Sequence, residues 1–380
     1  MKFIIAPDSF KGGLTAKEAA QAIKTGLQRV FPEAEYILIP MADGGEGTVQ
    51  SLVDATAGQL ITTKVHNPLN QLVDAQYGIL GNQQTAVIEM AQASGLQFVN
   101  QQTANPLVTT TFGTGELILD ALNHQVQKII IGLGGSATID GGAGMAQALG
   151  AQLLDQDGHE IGFGGGALDQ LATINLDQLD SRLKTTTIQI ASDVTNPLTG
   201  ENGAAPVFGP QKGATSVMVT TLDANLHHYA AVIKQFTGVD IEQVPGAGAA
   251  GGLGASLLAF TQAEMARGIE LVVKATHLTE QARGADFVIT GEGGIDFQTK
   301  FGKTPFGVAR ATKAVAPNAP VIVLTGNVGK GVASLYSADA IDAIFATPAG
   351  AKSLDQALKD APNDIAQTAE NVARLIKVAR

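Results

Sequence analysis

Short apolar runs separated by helix-length amphipathic segments set the pattern at both ends of the chain. Residues 2–6 and 36–40 read as strands buried on both faces, because neither alternates as a half-exposed strand would. Between them, Thr15-Ala16-Lys17-Glu18 is a capping-box pattern that opens a helix to about residue 30, and a second helix is predicted over 48–57. From about residue 62 the texture changes to more alternating segments, such as 75–80 and 85–89, which suit a different sheet. Residues 128–133 form a third buried strand, followed by a glycine-rich loop and a helix through residue 149. Residues 187–191 read as a strand and 222–236 as an amphipathic helix. The opening style then returns, with strands at 286–290, 321–325 and 341–346 separated by helices, and a closing helix over 354–378. Like ends around an unlike middle predict an α/β protein with one domain built from both termini (1–65 plus 285–380) and a second α/β domain inserted between them (66–284).

The 380 residues are enough for two domains of ordinary size. The 45 glycines are spread between periodic segments, as expected of a chain with several tight ligand loops. Cysteine is absent, which excludes disulfides and thiolate metal sites. Adjacent His227 and His228 would point about 100° apart on a helix and chelate poorly, and His124, His159 and His277 read as surface or loop residues. A formal charge of −11 argues against a nucleic-acid or anionic-membrane partner, but not against a nucleotide held by local N–H groups and Mg²⁺. The first apolar run is too short for a signal segment, and no stretch reaches the length of a membrane span, so a cytoplasmic protein is expected.

Two strings carry the strongest chemical signal. Asp8-Ser9-Phe10-Lys11-Gly12-Gly13 and Ala42-Asp43-Gly44-Gly45-Glu46-Gly47-Thr48 each follow an apolar run and precede a helix, which places carboxylates, glycines and a lysine at the C-terminal end of a strand. Open backbone N–H groups, carboxylates for a hard cation and a lysine suit a phosphorylated ligand. The loop from Gly134 to Gly144, with Gly135, Ser136, Thr138 and Asp140, can likewise curl around a phosphate or carboxylate, or serve as a tight structural turn. Gly246 to Gly251 matches G-x-G-x-x-G with Glu270 downstream, but Pro245 and a poor preceding strand favour a loop leading into a helix from Leu253. Gly302-Lys303-Thr304 looks like the end of a Walker A loop, yet Phe297 stands where the first glycine is required, so that reading fails.

Phosphoryl transfer without a Walker A loop still needs positioned charge, and Lys11, Asp43, Glu46, Asp193, Glu292, Asp296 and Lys303 supply it beside glycines at predicted strand ends. Any one of them alone could cap a helix or sit in a surface turn. Asp193, after an apolar strand, is the candidate general base, with an Asx-turn as the alternative. Asp43 and Glu46 could hold Mg²⁺ together, with helix capping as theirs. Lys11 and Asp43 join Asp193 as catalytic candidates. Ser9, Gly134, Gly135, Ser136, Asp140, Asn196, Lys212, Glu292, Asp296 and Lys303 are the candidate substrate or phosphate contacts.

In order along the chain, DSFKG, ADGGEGT, NPLVTTTFGTGEL, GGSATIDGGAGMAQALG, DVTNPL, VFGPQKGA, PGAGAAGGLGA and TGEGGIDFQTKFGKTP resemble the bacterial glycerate kinase family, type I. The resemblance implies transfer of phosphate from ATP to glycerate with Mg²⁺, members commonly forming 2-phosphoglycerate and some being described as forming the 3-phosphate. It also implies a Rossmann-like parallel α/β domain interrupted by a second α/β domain, with the active site in the cleft. Glycerate and ATP are then the expected partners, with no nucleic acid and no membrane, and a homodimer is compatible with the chain. Two positions depart from the family pattern: Gly294 stands where arginine is usual, and Ile139 where asparagine is usual. Loss of the arginine removes a bidentate anion clamp, a role that Lys212 or Lys303 could assume. Two other readings stay open here, an NAD-dependent hydroxy-acid dehydrogenase using the Gly246 to Gly251 loop and a non-catalytic sensor of glycerate or nucleotide.

Overall fold

The N-terminal apolar run forms β1 (Lys2–Ile5), and the capping box after it is real. The Thr15 hydroxyl accepts from the Glu18 N–H, and the Glu18 carboxylate accepts from the Thr15 N–H at 2.9 Å, so two otherwise orphaned donors are satisfied where the helix Ala16–Gln28 begins. β2 (Glu35–Leu38) and the helix Thr48–Thr56 follow. The computed structural model describes residues 1–379.

The chain then runs through β3 (Gln59–His66), β4 (Leu72–Ile79), β5 (Thr85–Glu89), β6 (Lys128–Gly132), β7 (Gln152–Leu154), β8 (Thr173–Asn175), β9 (Thr187–Ala191) and β10 (Glu264–Ala266). Six of these form one sheet in the order β10-β9-β6-β5-β4-β3, parallel from β10 to β5 and antiparallel from β5 to β3, while β7 and β8 pair separately. β7, β8 and β10 have three residues each, too few to leave a periodic pattern in the sequence. The helix Ser216–Thr237 starts earlier than the expected 222 because Thr215 caps it, accepting from Met218 N–H. The G-x-G-x-x-G string is not a dinucleotide loop. Ala250, Gly251 and Gly252 are left-handed, and a Cβ at Gly251 would lie 1.9 Å from the Thr138 carbonyl oxygen, so these glycines let two loops interlock before the helix Leu253–Phe260.

β11 (Phe287–Glu292), β12 (Val321–Thr325) and β13 (Ala343–Ala346) rejoin the opening strands in a five-stranded, all-parallel sheet ordered β13-β12-β11-β1-β2. The mixed α/β class with parallel sheets is the one the sequence pattern predicts. Contacts divide the chain into a first unit, Met1–Gly58 with Arg267 onward, and a second unit, Gln59–Ala266. Both divisions come earlier than the expected 65 and 285. β3 pairs with β4 along its whole length, and the helices Gly268–Ala275 and Leu278–Ala282 pack on the helix Thr304–Lys313 of the first unit. In that unit the chain leaves β1 toward β2 on one side and later builds outward from β11 on the other. The strand order therefore reverses between β1 and β11, the place where open α/β sheets bind ligands.

The first unit's core joins Phe3 and Ile5 to Ile23 and Leu27 of the helix Ala16–Gln28 and to Ile365 and Ala369 of the closing helix Leu354–Ala379. These two helices touch at Gly26, where a Cβ would lie 2.0 Å from the Ala366 carbonyl oxygen. Gly26→Ala should therefore lower stability by about 1–3 kcal/mol through forced separation of the helices. Denaturant unfolding with an unchanged m-value checks this, and an unaltered midpoint would show that the contact is loose.

Candidate active site

A cavity of about 710 Å³ lies at the C-terminal ends of the five parallel strands of the first unit and is lined by residues of that unit alone. The loop after β1 contributes Asp8, Ser9 and Lys11, the loop after β2 Asp43 and Glu46, and the end of β11 Glu292, Gly293 and Gly294. Lys303, just before the helix Thr304–Lys313, completes the charged side.

Asp8, not among the residues singled out from the sequence, is the best-anchored of them. Its carboxylate accepts from Ser9 N–H at 2.6 Å and from the Thr304 hydroxyl at 2.5 Å. Burial pushes its pKa up to about 6, opposed by the Thr304 hydrogen bond and reinforced by the charge of Asp43. Burial likewise pushes Glu292 up to about 7, with Lys303 pulling it down and Asp8 and Asp43 adding to the rise. Asp43 accepts from Gly45 N–H at 3.1 Å. Glu46 is held in an exposed ion pair with Lys11 at 3.1 Å, so the loop tip carries its own compensated charges. Asp296 caps the turn Phe297–Phe301, accepting from Gln298 N–H at 2.8 Å, and does not line the cavity. Sequence position alone could have found Asp8, since it leads the same string as Ser9 and Lys11. Its partner Thr304 is far away in sequence and gave no such signal.

In the second unit the loop after β6 is braced from inside. Asp140, fully buried, accepts from the Thr111 N–H and hydroxyl, both at 2.8 Å, and from the N–H groups of Gly142 and Gly144 at 3.1 and 3.3 Å. The Lys212 ammonium, also buried, donates to the Ser136 hydroxyl at 2.5 Å and the Thr138 carbonyl at 2.7 Å. Burial lowers Lys212 to about 7 against the attraction of Asp140, and burial raises Asp140 against its own hydrogen bonds. Desolvation thus outweighs the attraction of Asp140 in the case of Lys212, and the accepted hydrogen bonds in the case of Asp140. As placed, Ser136, Asp140 and Lys212 hold the loop's shape, while Gly134 and Gly135 expose its backbone. Asp193 is exposed just past the C-terminal end of β9. Asn196 shapes the adjoining turn, its side chain donating to the Asn202 carbonyl at 2.8 Å. Ile139 belongs to the second unit's core, whereas a Cβ at Gly294 would meet nothing closer than 3.9 Å.

Among the described residues, the one trio of metal-binding groups with ligand atoms within 4.8 Å of one another is Asp155, Asp157 and His159, on an exposed turn. The carboxylates of the cavity do not form such a trio. All are oxygen donors, and burial with mutual repulsion raises two of them. They fit a hard divalent cation that takes one or two carboxylates and completes its shell with phosphates and water.

A carboxyl raised from 4.5 to about 7 binds a proton in the folded state that the unfolded chain has released, so Glu292 lowers stability as pH rises through that interval. Glu292→Gln removes that cost. In ligand-free protein it should raise Tm at pH 8 by about 2 °C or more and leave Tm unchanged near pH 4.5. Thermal unfolding at both pH values checks this, and an equal shift at both would show that the effect is not one of charge.

The glycerate kinase family profile matches residues 3–377. A glycerate kinase of Bacillus subtilis is 52% identical over 380 residues, covering 100% of this chain and 99% of its own. A glycerate 2-kinase of Escherichia coli is 50% identical over 378 residues, covering 100% and 98%. A crystal structure from Salmonella typhimurium LT2, assigned as a glycerate kinase 2, superimposes with a TM-score of 0.91 at 48% identity, over 100% of this chain and 99% of that one. Among the described residues no helix is long and apolar enough to cross a membrane. With residues 3–377 matched by the family profile and half or more of the positions identical in the Bacillus subtilis and Escherichia coli kinases, the chain belongs to the glycerate kinase family and is a kinase.

Proposed function

We propose that the protein transfers the γ-phosphoryl group of ATP to the 2-hydroxyl of glycerate in the first unit's cavity, with Mg²⁺. The observation that carries this reading is the meeting of Asp8, Asp43, Glu292 and Lys303 at the switch point of a parallel sheet. The name of the Escherichia coli relative supports the 2-hydroxyl as acceptor. Asp43 and Asp8 would hold the cation, while Glu46 stays paired with Lys11. Mg²⁺ neutralises charge on the phosphate oxygens when bound. Lys303, at a helix N-terminus that lines the cavity, would offset charge on the transferring group.

The acceptor hydroxyl must lose its proton as the new O–P bond forms and the bond to ADP breaks. A base poised near neutral pH suits this, and Glu292 meets the condition by burial while Asp193 is exposed. We assign the proton to Glu292, which lines the cavity, and not to Asp193, which belongs to the second unit and does not line it. Glu292→Gln should then lower kcat by about 10²-fold or more, with a smaller loss in Asp193→Asn. Steady-state kinetics of both variants decide between them, and the opposite ranking would move the base to Asp193.

Gly294 leaves room where the family usually carries arginine. Gly294→Arg should fold normally and lower the KM for ATP about threefold or more by adding a bidentate phosphate contact. An unchanged KM would show that Lys303 already fills the role. The function itself is tested by phosphorus NMR of protein, D-glycerate, ATP and Mg²⁺, with an EDTA control. A new phosphomonoester signal split by a single proton is expected, because the 2-carbon carries one hydrogen. A signal split by two protons would assign the 3-hydroxyl, and no product from ATP-binding protein would contradict the proposal.

A further inference from the structure

The cavity of the first unit has two chemically different ends. One carries Asp8, Asp43 and Glu292 with the two lysines that line the cavity, Lys11 and Lys303. The other is walled by Leu14 and by Leu354, Ala357, Leu358 and Ala361 of the closing helix. These four helical positions follow the spacing of one face, and that face lines the cavity, whereas farther along the helix Ile365, Ala369, Val372 and Ala373 enter the core. Leu354 keeps 72% of its side chain exposed there. The acidic groups at this end are already engaged: Glu18 closes the Thr15 capping box, and Asp364 accepts from Lys352 at 2.8 Å. Lys11 and Lys303, the lysines of this cavity, act on its carboxylates, Lys11 in the ion pair with Glu46 and Lys303 on Glu292. Glycerate carries an oxygen on each of its three carbons and has no apolar face to place there.

One polar feature interrupts the apolar wall. Pro362 has no N–H, so the carbonyl of Leu358 lacks its helical donor four residues on. That carbonyl faces Gly13, where a Cβ would lie 3.6 Å from its oxygen and 3.3 Å from Leu358 Cδ2. Gly12, left-handed at φ +78°, turns the loop so that it passes close to the leucine.

We propose that this end is the nucleobase subsite, in which Leu14, Leu354 and Leu358 cover a purine and the Leu358 carbonyl accepts a hydrogen bond from its exocyclic amino group. A nucleoside triphosphate has the same division into an apolar ring and a polyanionic tail as the cavity has between its two ends. The inference rests on the reading that the cavity binds nucleotide, and it identifies adenine over a purine that lacks the amino group.

The test uses the full-length protein with Mg²⁺ and no glycerate, and measures binding of ADP, IDP and inorganic triphosphate by calorimetry. Leu354→Ser, at an exposed position, should weaken ADP about tenfold and leave triphosphate unchanged. Pro362→Ala restores an N–H to the helix and engages the Leu358 carbonyl, and should weaken ADP about threefold or more while leaving IDP unchanged. ADP affinity that is indifferent to both substitutions, or an equal loss for ADP and triphosphate in Leu354→Ser, would overturn the subsite. A protein that phosphorylates glycerate yet shows such indifference refutes the subsite alone. One that binds ADP with the expected sensitivities yet yields no phosphoglycerate refutes the functional proposal alone.

Discussion

Parallel pairing of β1 with β11 is the interaction on which the site depends. Phe3 pairs with Phe287, Ile4 with Val288 and Ile5 with Ile289, and the rings of Phe3 and Phe287 stack at 5.5 Å. The ladder continues past the strands, with Ala6 N–H donating to the Ile289 carbonyl and Asp8 N–H to that of Gly291, both at 2.8 Å. Asp8 and Glu292 therefore come to the same edge of the sheet although they lie far apart in the chain. Phe3 stacks between Phe287 and Tyr36, each at 5.5 Å, and a slip in register would break both contacts, so this packing fixes where the carboxylates end up.

The same placement makes the site costly to hold empty. Asp8 and Glu292 are moved toward their neutral forms by desolvation, and Asp43 adds repulsion to both. Thr304, Ser9 and Lys303 offset part of that cost, and a cation with phosphates would offset more. Stability given up in the free protein becomes binding energy directed at charge. The second unit contains a different solution. Asp140 has its lone pairs filled by backbone N–H groups and Thr111, and Lys212 is spent on Ser136 and Thr138, so this buried polar network holds a loop in shape.

Much of this was legible in the sequence. The apolar runs at 85–89, 187–191 and 321–325 are the strands found, and the capping box at Thr15 starts its helix. The strings at Asp8 and Asp43 do lie at strand ends beside one cavity, because a buried parallel strand followed by glycines leaves a strong local pattern. Three-residue strands leave none. Nor does burial of a polar side chain: Lys212 and Asp140 read as ligand groups in the string, and nothing there shows that both are buried and bonded to Ser136, Thr138 and Thr111. Asp8 was passed over in favour of its neighbours for a similar reason, since what distinguishes it is a hydroxyl nearly three hundred positions away.

If the carboxylates gathered where β1 meets β11 organise phosphoryl transfer, metal and phosphate must meet there. Crystals of the protein with a non-hydrolysable ATP analogue, Mg²⁺ and glycerate would test it most directly. Mg²⁺ is expected on Asp8 or Asp43 at about 2.1 Å, with the γ-phosphate between the metal and Lys303. A nucleotide seated instead on the Gly134 to Gly142 loop of the second unit, with the cavity of the first unit empty, would contradict it.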